Sequence, residues 1–283
     1  AYAHENTTRR LHSLTDALNQ TKQYGYAQDN RVTAVSYANA VNPTPSVSFV
    51  YDPYFARAVS MTDGNGTTQY AYVGAFSPGA LRPQQECFTP NGASVCSYQI
   101  GYAYDALGRI ASRTVSGAGP ETVQYDAIGR PVLHASDLGQ FSLAYLGETG
   151  QIAQRQLLPA GSSLATTWSY LPNSGDRRLS GIGNTGLSAG QFSTYQFTTT
   201  QENFITAITE TSDAPTVYPA PFTQTASYND LDQLTNLSGQ ALTYDADGNL
   251  LSDGERTYSW DAENRLIGIA YPGPVSYTHL RAH

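Results

Sequence analysis

Charge is scarce in this chain of 283 residues: Asp, Glu, Lys and Arg make up 13% of it, against about 25% in ordinary soluble domains. What charge there is leans acidic, net −8, and no basic cluster exceeds the pairs Arg9-Arg10 and Arg177-Arg178. A nucleic-acid partner is therefore not expected, because phosphate binding needs a concentrated basic face. No apolar run approaches the roughly 20 residues a membrane-crossing helix requires, so no membrane span is expected either. The opening "AYAHENTTRR" lacks both a signal-peptide pattern and an initiator Met. The expectation is a chain that starts inside a longer protein. Cysteine occurs twice, in "ECFTPNGASVCS", where Cys87 and Cys96 flank a Pro-Asn-Gly turn signal. Two readings stay open: a disulfide across a hairpin if the protein is secreted, or two half-buried free thiols. Zinc fits poorly, since no second pair or nearby His completes four ligands.

What the chain has in quantity is tyrosine, 21 residues, and glycine, 25, with many Thr and Ser. Aromatic, β-branched and hydroxyl side chains suit a pleated, half-buried surface, and glycine supplies the turns. The expected class is all-β.

The chain also repeats itself. "YDALGRI" starts at Tyr104, "YDAIGRP" at Tyr125 and "YLGETGQI" at Tyr145, with looser copies from Tyr170, Phe197 and Tyr228. "YDADGNLLSDGERTYSWDAENRLI" holds two more, at Tyr244 and Trp260, and "YAQDNRV" at Tyr26 and "YDPYFARAV" at Tyr51 precede them. The spacing varies between roughly 16 and 27 residues, which hairpins of unequal strand length tolerate. One stretch looks helical: "RLHSLTDALNQTKQYGY" has Leu11, Leu14 and Leu18 at helical spacing. Its second copy, "RAVSMTDGNGTTQYAY" from Arg57, matches it at Ser60, Thr62 and Asp63 but carries Gly64-Asn65-Gly66 in the middle. That is a turn signal and a poor helix interior, so both copies are expected to be hairpins.

In each motif the strand should end on the aromatic residue, with Asp opening the turn and Gly closing it. An Asp carboxylate accepts nearby backbone N–H groups, and Gly tolerates the left-handed conformation that returns the chain. The residues assigned to this structural motif are Tyr51, Asp52, Tyr104, Asp105, Gly108, Arg109, Tyr125, Asp126, Gly129, Arg130, Tyr244, Asp245, Gly248, Trp260, Asp261 and Arg265. Stacked hairpins would place one ring above the next, with Arg nearby for cation–π or carboxylate contacts.

These motifs together resemble the RHS/YD-repeat family, named for its recurrent Tyr-Asp dipeptide. The likeness runs from Arg10 to Tyr271 and weakens over 74–97 and 181–193. It implies a long antiparallel sheet of hairpins that curves and spirals into a hollow shell, of which this chain is part. It further implies a bacterial protein, secreted or at the cell surface, whose shell encloses or presents a C-terminal toxin or effector. Its partners would be the rest of that shell and its cargo. The family's Asp-Pro core motif for self-cleavage is not matched; Asp52-Pro53 lies inside a repeat. The repeat array is placed at 1–274. The last residues, "VSYTHLRAH" over 275–283, break the pattern and read as translated sequencing adapter.

Sharper chemistry finds little support in the spacing. In "DADGNLLSDGER" the Gly falls fourth and Arg256 twelfth, so an EF-hand calcium loop fails. Asp245 with Asp261, or Asp105 with Asp126, could neighbour one another as a glycosidase pair needs, but they recur as turn residues where a catalytic pair should be singular. No G-x-S-x-G occurs, and His134 in "PVLHAS" reads as a strand histidine. The expectation is a protein without enzymatic activity, cofactor or metal. The alternative is a surface adhesin whose outward tyrosines bind glycans or a cell-surface partner.

Overall fold

The computed structural model describes residues 1–158, 164–186, 188, 190–215, 217, 220–273 and 276–278. Among them all regular structure is strand, apart from a 3-10 turn at Asn173–Gly175. The chain divides into two compact units, residues 1–70, 88–97 and 220–283 in one and residues 71–87 and 98–219 in the other.

In the second unit ten strands, from Tyr98–Tyr104 to Ile205–Ser212, pair in chain order, each antiparallel to the next. In the first unit the strands from Tyr2–His4 through Ala58–Thr62 pair in the same way and lead into Gly66–Tyr72. That unit also holds a three-stranded sheet beginning at Ala226–Tyr228 and a five-stranded one from Thr243–Tyr244 to Ser276–Thr278. Antiparallel neighbours follow from the short turn signals between them, which leave no room for a crossover.

The stretch with helical leucine spacing is a hairpin, strands Leu11–Thr15 and Thr21–Tyr26. It shares details with its copy. Ser13 pairs with Gln23 as Ser60 pairs with Gln69. The Thr15 and Thr21 hydroxyls meet at 3.0 Å, and those of Thr62 and Thr67 at 2.9 Å.

Burial is shallow. No large side chain among the described residues is fully buried, and the most enclosed are Gln20, Asp261, Cys87 and Val73. With so little conventional core, cohesion must come from contacts between neighbouring hairpins. The register shows where. It slips at the motif aromatic of successive hairpins, at Tyr26, Tyr51, Tyr125, Tyr145, Tyr170, Tyr244 and Trp260. Such bulges bend the strand and re-aim a side chain.

Candidate functional site: the interlocked aromatic–aspartate turn

The turn begins with the carboxylate. Asp105 Oδ1 accepts the backbone N–H groups of Leu107 at 2.9 Å and Arg109 at 2.8 Å, while Oδ2 accepts Arg109 Nε at 2.7 Å. Asp126 repeats the pattern with Ile128 and Arg130, and Asp261 with Glu263 and Arg265. Asp52 serves Tyr54, Phe55 and Arg57, and Asp245 serves Asp247 and Asn249. Backbone closure accompanies it: Gly108 N–H donates to Asp105 O at 2.9 Å, and Asp105 N–H to Arg109 O at 2.8 Å. The residue before the Arg or its substitute is left-handed, with φ +75° at Gly108, +92° at Gly129 and +90° at Gly248. Asn30 and Asn264 fill the same slot at φ 68° and 57°.

Three of these aspartates, Asp52, Asp105 and Asp126, are held as anions by their turns. At Asp52 the Tyr54 N–H leads in holding the carboxyl below its usual range. At Asp105 and Asp126 burial pushes upward, but the backbone and guanidinium donors of Arg109 and Arg130 outweigh it and the net direction is down. Each of these carboxylates is committed to donors of its own turn.

The aromatic residue makes the next connection, and it points backwards along the chain. Tyr125 OH donates to Ile110 O at 2.8 Å, Tyr145 OH to Pro131 O at 2.7 Å, and Tyr51 OH to Val32 O at 2.6 Å. Tyr26, Tyr104, Tyr170 and Tyr244 reach Leu11, Pro83, Ile152 and Leu234 in the same manner. At Trp260 the indole Nε1–H donates to Leu250 O at 2.7 Å, so tryptophan in the tyrosine slot still supplies a donor at the ring tip. The acceptor is the first residue of the previous motif's returning strand, just after its Arg, Asn or Gln.

The arginine reaches forwards. Arg109 lies over the Tyr125 ring at 4.3 Å and Arg130 over Tyr145 at 4.5 Å; Arg31 covers Tyr51 at 4.6 Å and Arg10 covers Tyr26 at 4.8 Å. Arg130 Nη1 continues to the carbonyls of Gly147 and Thr149, each at 2.7 Å. Each of these rings thus carries a guanidinium from the preceding motif over one face. The ring pairs that do approach one another, Tyr24 with Tyr26 at 6.4 Å and Phe49 with Tyr51 at 6.3 Å, sit two residues apart on one strand.

Reading the sequence did not find two further copies of the Asp–Arg turn. Glu5 with Arg10 forms one, at 2.7 Å. Asp253 forms the other, accepting Arg256 Nε at 2.8 Å and Tyr258 OH at 2.7 Å. "ERTY" after a Ser-Asp-Gly was the available signal. Cys87 and Cys96 are both disulfide-bonded. His134 lies in strand Pro131–Ser136 opposite Phe141 and Val123. No group of three or more His, Cys, Asp or Glu among the described residues is placed to hold a metal ion, and no helix is long and apolar enough to cross a membrane.

In the first unit the last two motif turns rest on earlier hairpins. Asn42 Nδ2 donates to Trp260 O at 2.7 Å, Ala262 N–H to Thr44 Oγ1 at 2.9 Å, and Lys22 Nζ to Glu263 at 2.8 Å. Tyr37 OH also donates to Glu263; burial first, and then that carboxylate, push its hydroxyl pKa upward. A cavity of about 300 Å³ lies here, lined by Gln20, Val41, Asn249, Leu251 and Trp260 among others.

Comparison with solved structures decides the fold. The crystal structure of TcdB2-TccC3-TEV superposes with a TM-score of 0.65 at 14% identity over 98% of this chain. The Photorhabdus luminescens Tc holotoxin pore with a mutant TccC3 gives 0.63 at 15% over 94%. The chain carries the RHS/YD-repeat fold. It spans 18% of the length of each of those two chains. Among curated proteins, the tRNA nuclease WapA of Bacillus subtilis is 43% identical over 51 residues, 18% of this chain and 2% of WapA. No family profile matches the chain.

Proposed function

We propose that this RHS-repeat segment is a non-enzymatic wall element of a larger β-shell that encloses or presents a C-terminal toxin or effector polypeptide. The observation that carries this reading is the interlock: motif carboxylates are consumed in closing their own turns, and guanidiniums and ring-tip donors in joining one hairpin to the next. What a wall needs is continuity without gaps, and the arginine and the aromatic residue supply it in both directions along the chain. The partners in this reading are the remaining shell and its cargo, and the setting is a secreted or cell-surface bacterial protein. The disulfide-bonded Cys87 and Cys96 suit such an oxidising setting. A glycan-binding adhesin draws less support, because the rings of Tyr26, Tyr51, Tyr125 and Tyr145 each carry an arginine over one face and give their hydroxyl to backbone.

The test is limited proteolysis of a full-length protein that contains this segment. A C-terminal polypeptide that resists protease while the shell is folded, and becomes sensitive once the shell is denatured, is the expected result. Equal sensitivity in both states would overturn containment, and specific binding on a glycan array would support the adhesin instead.

A further inference from the structure

Two aspartates from distant parts of the sequence converge in the first unit, where turn 245–248 rests on turn 16–20. Ala17 N–H donates to Asp247 Oδ1 at 2.9 Å, which sets that carboxyl beside Asp16. Asp247 Oδ2 is buried and has no donor. Asp16 cannot turn away, because its two oxygens accept the Gln20 N–H at 2.8 Å and Gln20 Nε2 at 2.9 Å. Gln20 is itself 3% exposed, and its side-chain oxygen accepts the N–H of Val41 at 3.0 Å. Asp245 adds a third carboxylate from Asp247's own turn. The cations nearby are engaged elsewhere, Lys22 with Glu263 and Arg265 with Asp261, and none among the described residues pairs with Asp247.

A buried acceptor facing another acceptor costs free energy unless a proton lies between them. We propose that Asp16 and Asp247 share one solvent-derived proton, and that this proton latches the C-terminal hairpins onto turn 16–20, so that docking loosens as pH rises. With the proton on Asp247 Oδ2, the orphan acceptor becomes a donor to Asp16 and the pair carries one negative charge. Without it two carboxylates repel, with Asp247 Oδ2 out of contact with water.

The direction of titration agrees. Burial first, then the charges of Asp16 and Asp245, raise the Asp247 pKa against the opposing Ala17 N–H. A group whose pKa is higher docked than undocked contributes fully below its undocked value, near an ordinary aspartate's ~3.9. That contribution is lost as pH rises through the docked value. Asp261, in the neighbouring turn, accepts from Glu263, Arg265 and no second carboxylate, so the latch belongs to the Asp247 turn alone.

Hydrogen exchange on the 283-residue chain tests this, with amide protection over 243–270 corrected for intrinsic rate and read against strands Glu121–Tyr125 and Pro131–Ser136. From about pH 3 to about pH 7 the protection ratio of the wild type should fall, by about tenfold for each pKa unit by which docking raises Asp247. Asp247→Asn should hold the ratio level, since an amide can accept from Ala17 and donate to Asp16. A level ratio in the wild type, or an equal fall in both proteins, would overturn the latch. Should the variant not fold, a carbon-13 titration of the wild-type Asp247 carboxyl decides instead. A midpoint above the ordinary value supports the shared proton, and one at or below it refutes it.

Discussion

At the scale of single residues, Arg130 does three things that a lysine could not do at once. It gives Nε to its own aspartate, Asp126, lays its plane on the following ring, Tyr145, and sends a terminal nitrogen to the 147–149 carbonyls of the following turn. The connection has a direction, so energetic coupling should have one too. A double-mutant cycle of Arg109→Ala with Tyr125→Leu should give a coupling of about 0.5–1 kcal/mol, the range of an exposed cation–π contact. The same arginine paired with Tyr145→Leu should give none beyond about 0.3 kcal/mol, because no contact joins them. Chemical denaturation of the four proteins in each cycle provides the values. Equal coupling to both rings would mean that the interlock is not a nearest-neighbour one.

At the scale of the element, the hairpin turn depends on one left-handed residue. Gly108 has φ +75°, and an added Cβ would meet its nearest atom, Gly79 N, at 3.6 Å, an ordinary van der Waals contact. Substitution there therefore meets backbone strain and no clash. Gly108→Ala should cost about 1 kcal/mol, whereas Gly108→Asn should cost less, since Asn tolerates the left-handed region and already occupies this slot at Asn30 and Asn264. Thermal melts of both variants check the order, and an Ala variant as stable as Asn would refute it. This slot also marks what the sequence made legible. Glycine before arginine announced the turn in "YDALGRI" and "YDAIGRP"; asparagine in "AENRL" did so more faintly, and the "DGER" turn lacked the Tyr-Asp pair and went unread. The repeat told strand from helix over 10–26 because a turn cannot hide inside a helix, while leucine spacing alone favoured the wrong element. The direction of the interlock was beyond the sequence. Ring and acceptor carbonyl lie 10 to 21 positions apart, 15 from Tyr125 to Ile110 and 14 from Tyr145 to Pro131, and only the register brings them together.

At the scale of the whole molecule, a sheet whose strength lies between neighbours is weakest where a neighbour is missing. Strand Ile205–Ser212 pairs only with Phe192–Thr199 among the described residues, and it carries Ile205 at 56% and Ile208 at 58% exposure, with Phe204 beside it at 69%. Unpaired backbone groups next to exposed branched side chains form a template for another strand. In the proposed shell a further hairpin would cover such an edge; in the isolated segment another molecule can. The isolated chain should therefore self-associate with rising concentration. Ile208→Lys should shift that onset upward, because a charge on an edge strand must be desolvated before a second strand can pair there. Sedimentation velocity over a concentration series gives the onset for both proteins. If the wild type stays monomeric throughout, this edge is already protected. If the lysine variant associates as readily as the wild type, the contact lies elsewhere, and the apolar turn tips at Leu107 and Ile128, 75% and 59% exposed, become the surface to change next.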